Sequence, residues 1–484
     1  MKIKLSLLLV FLLFTFSIPL FAQVDSTVST QGLSLEEYFD NILQHHPIVR
    51  QAKTLNEMAR QELRLARGNF DPKLKSKFNT KEFGGTQYYE TWDSKLEVPI
   101  WFNTDINIGY EQNDGTYLNE QLSNTSDGLM YAGLSLPLGR GLFIDERRAS
   151  VRQAQLMQSM AEADKVKAIN KVLLSAAKAY WDWYYAYQYY TIVTEVRSLA
   201  EERYNGIVQQ VINGDVAPFD SLKAFINFQE RVVEQEQAEL EYTNASIQAS
   251  AFMWLSNEDE SIPLQFARET YPQLNPSNSE EFLDLTTLKV LQDSARLLHP
   301  EIVKLDLKNQ QLKIDQRLSR EWLKPEINLK YNVLLKPSKE ENTLFEPSSD
   351  IFANDYKLGL EVYFPLLLRK ERAKLQQNTI KLEQNYYERV NQFREVENSI
   401  EKTYNTLSNI VELRAMQEQM VDNYQRLLNG ELTKFENGES SIFLINTRET
   451  ELLDAKVKLL KLSTKYEKAK IELLYAAGVP YLQN

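Results

Sequence analysis

The sequence predicts a mostly α-helical protein with a membrane β-barrel section, built by duplicating one unit of helix, strand, strand and long helical hairpin. Three observations predict it. The chain repeats itself in register over long distances. Two stretches of 66 positions, Arg148 to Gly214 and Arg372 to Gly438, read as very long helices. Between the helices lie segments of about ten residues that alternate apolar and polar, the length of a tilted strand crossing a bilayer.

The duplication is read first, because a missed repeat miscalls the whole fold. Pro47 and Pro72 return as Pro300 and Pro325, each 253 positions on, with Arg64-Leu65 and Arg67 returning between them as Arg317-Leu318 and Arg320. A second set returns at an offset of 224: Arg148 as Arg372, Tyr180 as Tyr404, Asn205-Gly206 as Asn429-Gly430, and Asn213-Gly214 as Asn437-Gly438. The first copy therefore carries 29 extra residues between Pro72 and Arg148. With only two units, this is a duplicated domain and not a solenoid.

Met1 to Ala22 reads as a cleaved secretory signal peptide, with Lys2 and Lys4 before an apolar run and a small residue at the cut. The first repeat then spans 23–256, with strands at about 72–138 and a helical hairpin over 146–256. It opens with a helix from Ser34 to Gln44. Pro47 starts the next helix, to Arg67, because proline is tolerated in a first turn and ends what precedes it. Strands follow on Leu74, Ser76 and Phe78; on Leu96, Val98 and Ile100; on Ile106, Ile108 and Tyr110; and on Met130, Ala132, Leu134 and Leu136. A tight return at Trp101–Thr104 makes the middle pair an extra hairpin. The long helix reaches Gly214, and a return helix runs from Asp220 to Trp254. Residues 257–284, rich in Pro, Asn, Ser and Glu, connect the halves. The second repeat, 285–484, repeats the order: helices Leu285–Leu297 and Pro300–Arg320, strands at about 325–365, and a hairpin over 368–478. Polar loops are expected at Lys81–Thr91, Asn113–Asp127 and Leu335–Asp355.

One chain offers four to six strands, too few to close a barrel in lipid, where an open edge leaves backbone groups unpaired. The strands must be shared among copies, and helices of about 100 Å need copies beside them to bury their apolar faces. Composition excludes much else. There is no cysteine, hence no disulfide, thiolate metal site or cysteine nucleophile. A formal charge of −12 argues against nucleic acid as a partner. No phosphate loop, nucleophile elbow or zinc-helix motif is present, so no catalytic residue, metal ligand or cofactor is assigned.

The residues that stand out have bland readings beside sharp ones. His45, His46 and His299, all three histidines, sit at His-Pro steps. A metal site would need them convergent with carboxylates, and equivalent places in two repeats favour a structural role. The aromatic run Tyr180–Tyr190 suits a stacking platform, but packing bulk is the simpler reading. Pairs such as Glu397-Lys402 and Glu467-Lys470 read as solvated helix faces. Gly214 and Gly438 serve turns between helices.

Taken in order, the duplicated plan, the His-Pro steps, the strand ends Leu134-Ser-Leu-Pro137 and Leu360-Glu-Val-Tyr-Phe-Pro365, and the glycine turns before Phe219-Asp220-Ser221-Leu222 and Ser441-Ile-Phe-Leu444 resemble the TolC family of outer-membrane efflux ducts. The resemblance covers nearly the whole mature chain. It implies a homotrimeric α/β barrel channel-tunnel, with its barrel in outer-membrane lipid and its helices in the periplasm. It also implies docking to a periplasmic adaptor protein and an inner-membrane transporter of RND or ABC type. The tips would meet the adaptor through Gly214, Val216, Phe219, Asp220, Leu222, Gly438, Ser441, Ile442 and Leu444, with Val216, Phe219, Ile442 and Leu444 as exposed apolar anchors. The sequence departs from the family where acidic residues follow the second glycine: here stand Leu444, Ile445, Asn446 and Thr447, leaving Asp220 as the acidic candidate. The competing reading is a coiled-coil periplasmic spacer or adaptor without a channel. Bilayer-length strands favour the duct.

Overall fold

Each repeat enters through a capped helix pair. The computed structural model describes residues 32–123, 127–256, 261–266, 270–273, 285–336 and 354–479; the signal peptide, most of the connector and most of the 335–355 loop lie outside them. Strand β1 (Gly32–Leu33) precedes α1 (Leu35–His45), where the Ser34 hydroxyl accepts from the Glu37 amide and the Glu37 carboxylate accepts from the Ser34 amide, a reciprocal capping box. Then come α2 (Pro47–Arg67), β2 (Lys73–Phe83), β3 (Thr86–Pro99), β4 (Asp105–Asp114), β5 (Leu129–Pro137), α3 (Glu146–Asn213) and α4 (Pro218–Ser250). Short strands β6 (Trp254–Ser256), β7 (Ser261–Pro263) and β8 (Tyr271–Pro272) lead to α5 (Leu285–Leu298), α6 (Pro300–Glu321), β9 (Glu326–Leu335), β10 (Tyr356–Tyr363), α7 (Arg369–Glu436) and α8 (Ile442–Ala476).

The long helices α3 and α7 have 68 residues each, about 100 Å at 1.5 Å per residue. Both end at a left-handed glycine, Gly214 at φ 79° and Gly438 at φ 74°, where a side chain would cost about 1–2 kcal/mol of backbone strain. The connector is more than a tether. β8 pairs in parallel with β1 and β6 pairs with β7, so the segment after α4 folds back onto the core formed by α1, α3 and α4 around Tyr38, Tyr180 and Trp183. A second core, around Ile302, Ile400, Leu407 and Leu473, holds α6, α7 and α8 together.

All six long strands form one antiparallel sheet in the order β10-β9-β5-β4-β3-β2. The halves join where β5 pairs with β9. The extra hairpin enters the sheet as β3 and β4, pairing Leu96 with Ile108 and Val98 with Ile106. The structure shortens one expected loop: Lys81–Thr91 is mostly strand, with β2 turning into β3 at Gly84 and Gly85 (φ 62° and 72°). Two successive positive φ values match the twist of a two-residue hairpin, a local signal that the polar composition hid.

Register puts one chemistry on each face. Leu74, Leu96, Ile108, Ala132, Val333 and Tyr356 form one row across all six strands. The opposite face carries Lys73, Glu97, Asn107, Gly133, Asn332 and Lys357 in the adjoining row. On the polar face the Tyr131 ring lies over Gly109 and its hydroxyl donates to Asp93 at 2.8 Å. A β-carbon on Gly109 would stand 2.4 Å from the Tyr131 Cζ. Gly109→Ala should therefore expel the ring and break the Asp93 bond, costing about 1–3 kcal/mol. Thermal denaturation in detergent checks this: the alanine variant should melt lower, and an unchanged midpoint would refute the packing role.

Candidate functional site

The features that bear on function are two open edges and a tip. In the sheet, β2 and β10 each lack a neighbour on one side among the described residues. In the helical body, α3 packs on α2, α4, α6 and α8, while α7 packs on α6 and α8. The lateral order near the sheet is thus α2, α3, α6, α7, and toward the tips α4, α3, α8, α7. The same two sides are open from end to end, α2 and α4 below β2, and α7 below β10.

Both open sides carry apolar residues at heptad spacing. Along α4, Ile226, Val233, Leu240 and Ile247 stand seven apart and are all exposed. On α2, Met58 and Leu65 do the same. On α7, Ile380 and Tyr387 are exposed near the sheet, and Leu413, Met420 and Leu427 toward the tip. A sustained seven-residue apolar repeat is the seam of a coiled coil. Among the described residues of one copy, nothing covers it.

At the tip the two hairpins meet. Ile442 packs with Ile207 and Ala224, flanked by Val216 and Phe435. The Arg203 guanidinium of α3 reaches Asn446 at 3.2 Å and both carboxylate oxygens of Glu449 on α8. Arg231 of α4 donates to Thr450 at 2.7 Å and to Glu234 at 2.6 Å. Asp220 pairs with Lys223 at 3.2 Å. Gly214, Gly438 and Ser441 are exposed in the turns, and Phe219, Leu222 and Leu444 are exposed beside them.

Two expected anchors are corrected. Ile442 is only 6% exposed, closing the apolar contact between hairpins, and Val216 is partly buried against the same cluster. The sequence missed Phe443, 65% exposed beside them. Helical phase decides it: in the first turn of α8, Ile442 and Ile445 face inward while Phe443 faces out. The same phase on α4 would have found the heptad stripe.

Of the three histidines at the His-Pro steps, His46 and His299 are helix caps and His45 is the last residue of α1. His46 accepts from the Ile48 amide at 3.2 Å and His299 from the Glu301 amide at 3.3 Å, each through Nδ1, ahead of Pro47 and Pro300 at the first helical position. Among the described residues no cluster of His, Asp and Glu could hold a metal. Burial pushes both imidazoles below their usual range, as suits neutral acceptors. In the unfolded chain they titrate near about 6.5. The folded form binds fewer protons below that point, so this contribution is intact above about pH 6.5 and lost as pH falls through it. Replacing both by Ala should destabilise by about 1 kcal/mol per cap. Replacing both by Asn should keep the caps and flatten the fall in melting temperature between pH 7 and pH 5. An equal fall in wild type and the Asn variant would refute this.

The aromatic run is packing: Tyr180, Trp181 and Trp183 are buried, and the Tyr180 hydroxyl donates to Leu33 and Gln273 carbonyls, fastening β1 and the segment after β8. Glu397 pairs with Arg296 at 3.1 Å and not with Lys402. Glu467 departs from the solvated reading, since burial pushes its carboxyl up against the opposing pull of Lys470 and Arg414.

Residues 291–479, most of the second repeat, match the family model for outer membrane efflux proteins. A search of curated proteins finds no match. Among solved structures, the chain is similar to the CmeC outer membrane channel of Campylobacter jejuni, at 15% identity and TM-score 0.62, covering 93% of this chain and 87% of that one. It is similar to the outer membrane protein VceC of Vibrio cholerae, at 14% identity and TM-score 0.61, covering 92% and 96%. It is also similar to the open state of the Neisseria gonorrhoeae MtrE outer membrane channel, at 15% identity and TM-score 0.62, covering 92% and 89%. At these identities the likeness is one of fold.

Proposed function

We infer that this chain, a TolC-like outer-membrane efflux protein, closes with two further copies into one duct, a β-barrel in the outer membrane continued by an α-helical tunnel in the periplasm. The observation that carries this reading is the pair of open sides. An apolar sheet face suits lipid, but an open sheet in lipid leaves edge amides and carbonyls unpaired. Antiparallel pairing of β10 with the β2 of a second copy satisfies them, and the α7 stripe then falls beside the α2 and α4 stripes of that copy. Six strands from each of three copies give a barrel of eighteen, in the range that encloses an aqueous channel.

The partners follow from the tip. Phe219, Leu222, Phe443 and Leu444 are exposed there, and exposed apolar residues on a rigid end suit a protein contact. We assign that contact to a periplasmic adaptor linked to an inner-membrane transporter of RND or ABC type, with Gly214, Asp220, Gly438 and Ser441 shaping the turns. Repeats 23–256 and 285–484 each supply one hairpin to the tunnel, exported by the signal peptide at 1–22. The family is one of channels, and the reading needs no catalytic group.

Mass measurement in detergent tests the assembly, together with conductance in planar bilayers. Three copies per particle and a stable ion current are expected. A monodisperse monomer overturns the duct, and a protein soluble without detergent supports the spacer reading instead.

A further inference from the structure

One strand of the sheet carries charge that the rest of the polar face does not balance. On β2, Lys73, Lys75, Lys77 and Lys81 alternate on the polar face, and Lys95 adds a fifth lysine on β3, opposite Lys75. The acids opposite them are Glu97 and Asp93. Glu97 already takes Lys75 at 2.7 Å and Lys95 at 3.6 Å, and Asp93 accepts the Tyr131 hydroxyl. Among the described residues, no carboxylate pairs with Lys73 or Lys77.

Elsewhere the polar face is paired. Asp105 meets Arg147 at 2.7 Å, Glu111 meets Lys357 at 3.4 Å, Lys330 meets Glu361 at 3.4 Å and Glu326 meets Arg140 at 3.7 Å. β2 is also the free edge, so its lysines lie at the seam between copies. The strand that closes that seam is β10 of a second copy, whose polar face offers Lys357 and Glu361, each held within its own copy. Closure therefore leaves Lys73 and Lys77 unneutralised, with Lys75 and Lys95 sharing the single carboxylate of Glu97. With the apolar face in lipid, they point into the bore.

We propose that Lys73, Lys75 and Lys77 form three basic stripes on the barrel wall, one at each seam, that bind and favour anionic solutes, those bearing carboxylate or phosphate groups. This rests on the duct reading above. Rings or stripes of lysine inside a narrow bore concentrate anions, because low-dielectric walls focus their field. Exposed lysines on a flat surface would be screened by salt within about 10 Å; a closed bore brings opposite stripes to bear on the same solute.

The test uses the purified full-length trimer in planar bilayers under a KCl gradient, with inorganic tripolyphosphate as the anionic probe. The wild-type current should be blocked by tripolyphosphate. The variant Lys73→Gln, Lys75→Gln, Lys77→Gln should lower the chloride-to-potassium permeability ratio about two-fold or more and weaken the block about ten-fold. The corresponding triple Arg variant should keep both, which separates charge from any effect on assembly. A Gln variant that conducts with the wild-type permeability ratio and the wild-type block overturns the proposal and leaves the duct intact. No conductance from any of the three proteins overturns the duct, and the proposal with it.

Discussion

A trimer should fail to form when Val233 and Leu240 are both changed to Asp. Both are exposed in one copy, at 56% and 61%, so the single chain should fold and keep its helix content. In the proposed tube they lie on the seam of α4 with a neighbouring α7, where a carboxylate would lose its water beside the exposed Leu413, Met420 and Leu427. Burying an unpaired charge there costs several kcal/mol, repeated at three seams. At about 1.4 kcal/mol for each factor of ten, trimer yield should fall well over ten-fold. Mass in detergent measures the yield, and circular dichroism confirms that the monomer is folded. Normal trimer yield from the double variant would mean that this stripe faces something other than a second copy.

The second large effect is expected at the tip, where two neighbouring residues of α8 should behave in opposite ways. Phe219→Asp combined with Phe443→Asp changes two rings that are 64% and 65% exposed. Trimer yield should stay at the wild-type level while cargo export drops toward background, because the apolar contact with the adaptor is replaced by charge. Ile442→Asp should act on the fold instead. Its side chain closes the contact of the first hairpin with the second, and a buried, unpaired carboxylate there should cost about 2 kcal/mol or more. Intracellular cargo accumulation and trimer melting temperature, measured on the same preparations, separate the two. Normal export by the Phe219/Phe443 variant would remove the tip as the docking site. An unchanged melting temperature for Ile442→Asp would refute its structural role.

The sequence is legible wherever a residue's role is local. Pro47 and Pro300 mark helix starts because proline lacks an amide donor that a first turn does not use. Gly214 and Gly438 mark helix ends because only glycine takes a left-handed φ without strain. Alternation in 326–335 and 356–363 becomes β9 and β10 because the pleat has a period of two. The Lys81–Thr91 segment fails on the same terms: its polar residues suggested a loop, yet they are one face of a strand pair whose turn is set by two glycines.

What the sequence by itself determined is the order of parts: the duplication, the lengths of α3 and α7 and the turns between hairpins, while the strand count stayed between four and six until the sheet showed six. Each is written in periodicity or in a residue with one backbone preference. What only the tertiary structure decided is adjacency. That β5 pairs with β9, that Ile442 is buried while Phe443 is exposed, that His46 and His299 cap helices, and that β2, α2 and α4 share one open side against β10 and α7 all depend on which surfaces meet. Those meetings are set by register and helix phase between segments hundreds of residues apart, and a one-residue change in either turns an inward side chain outward.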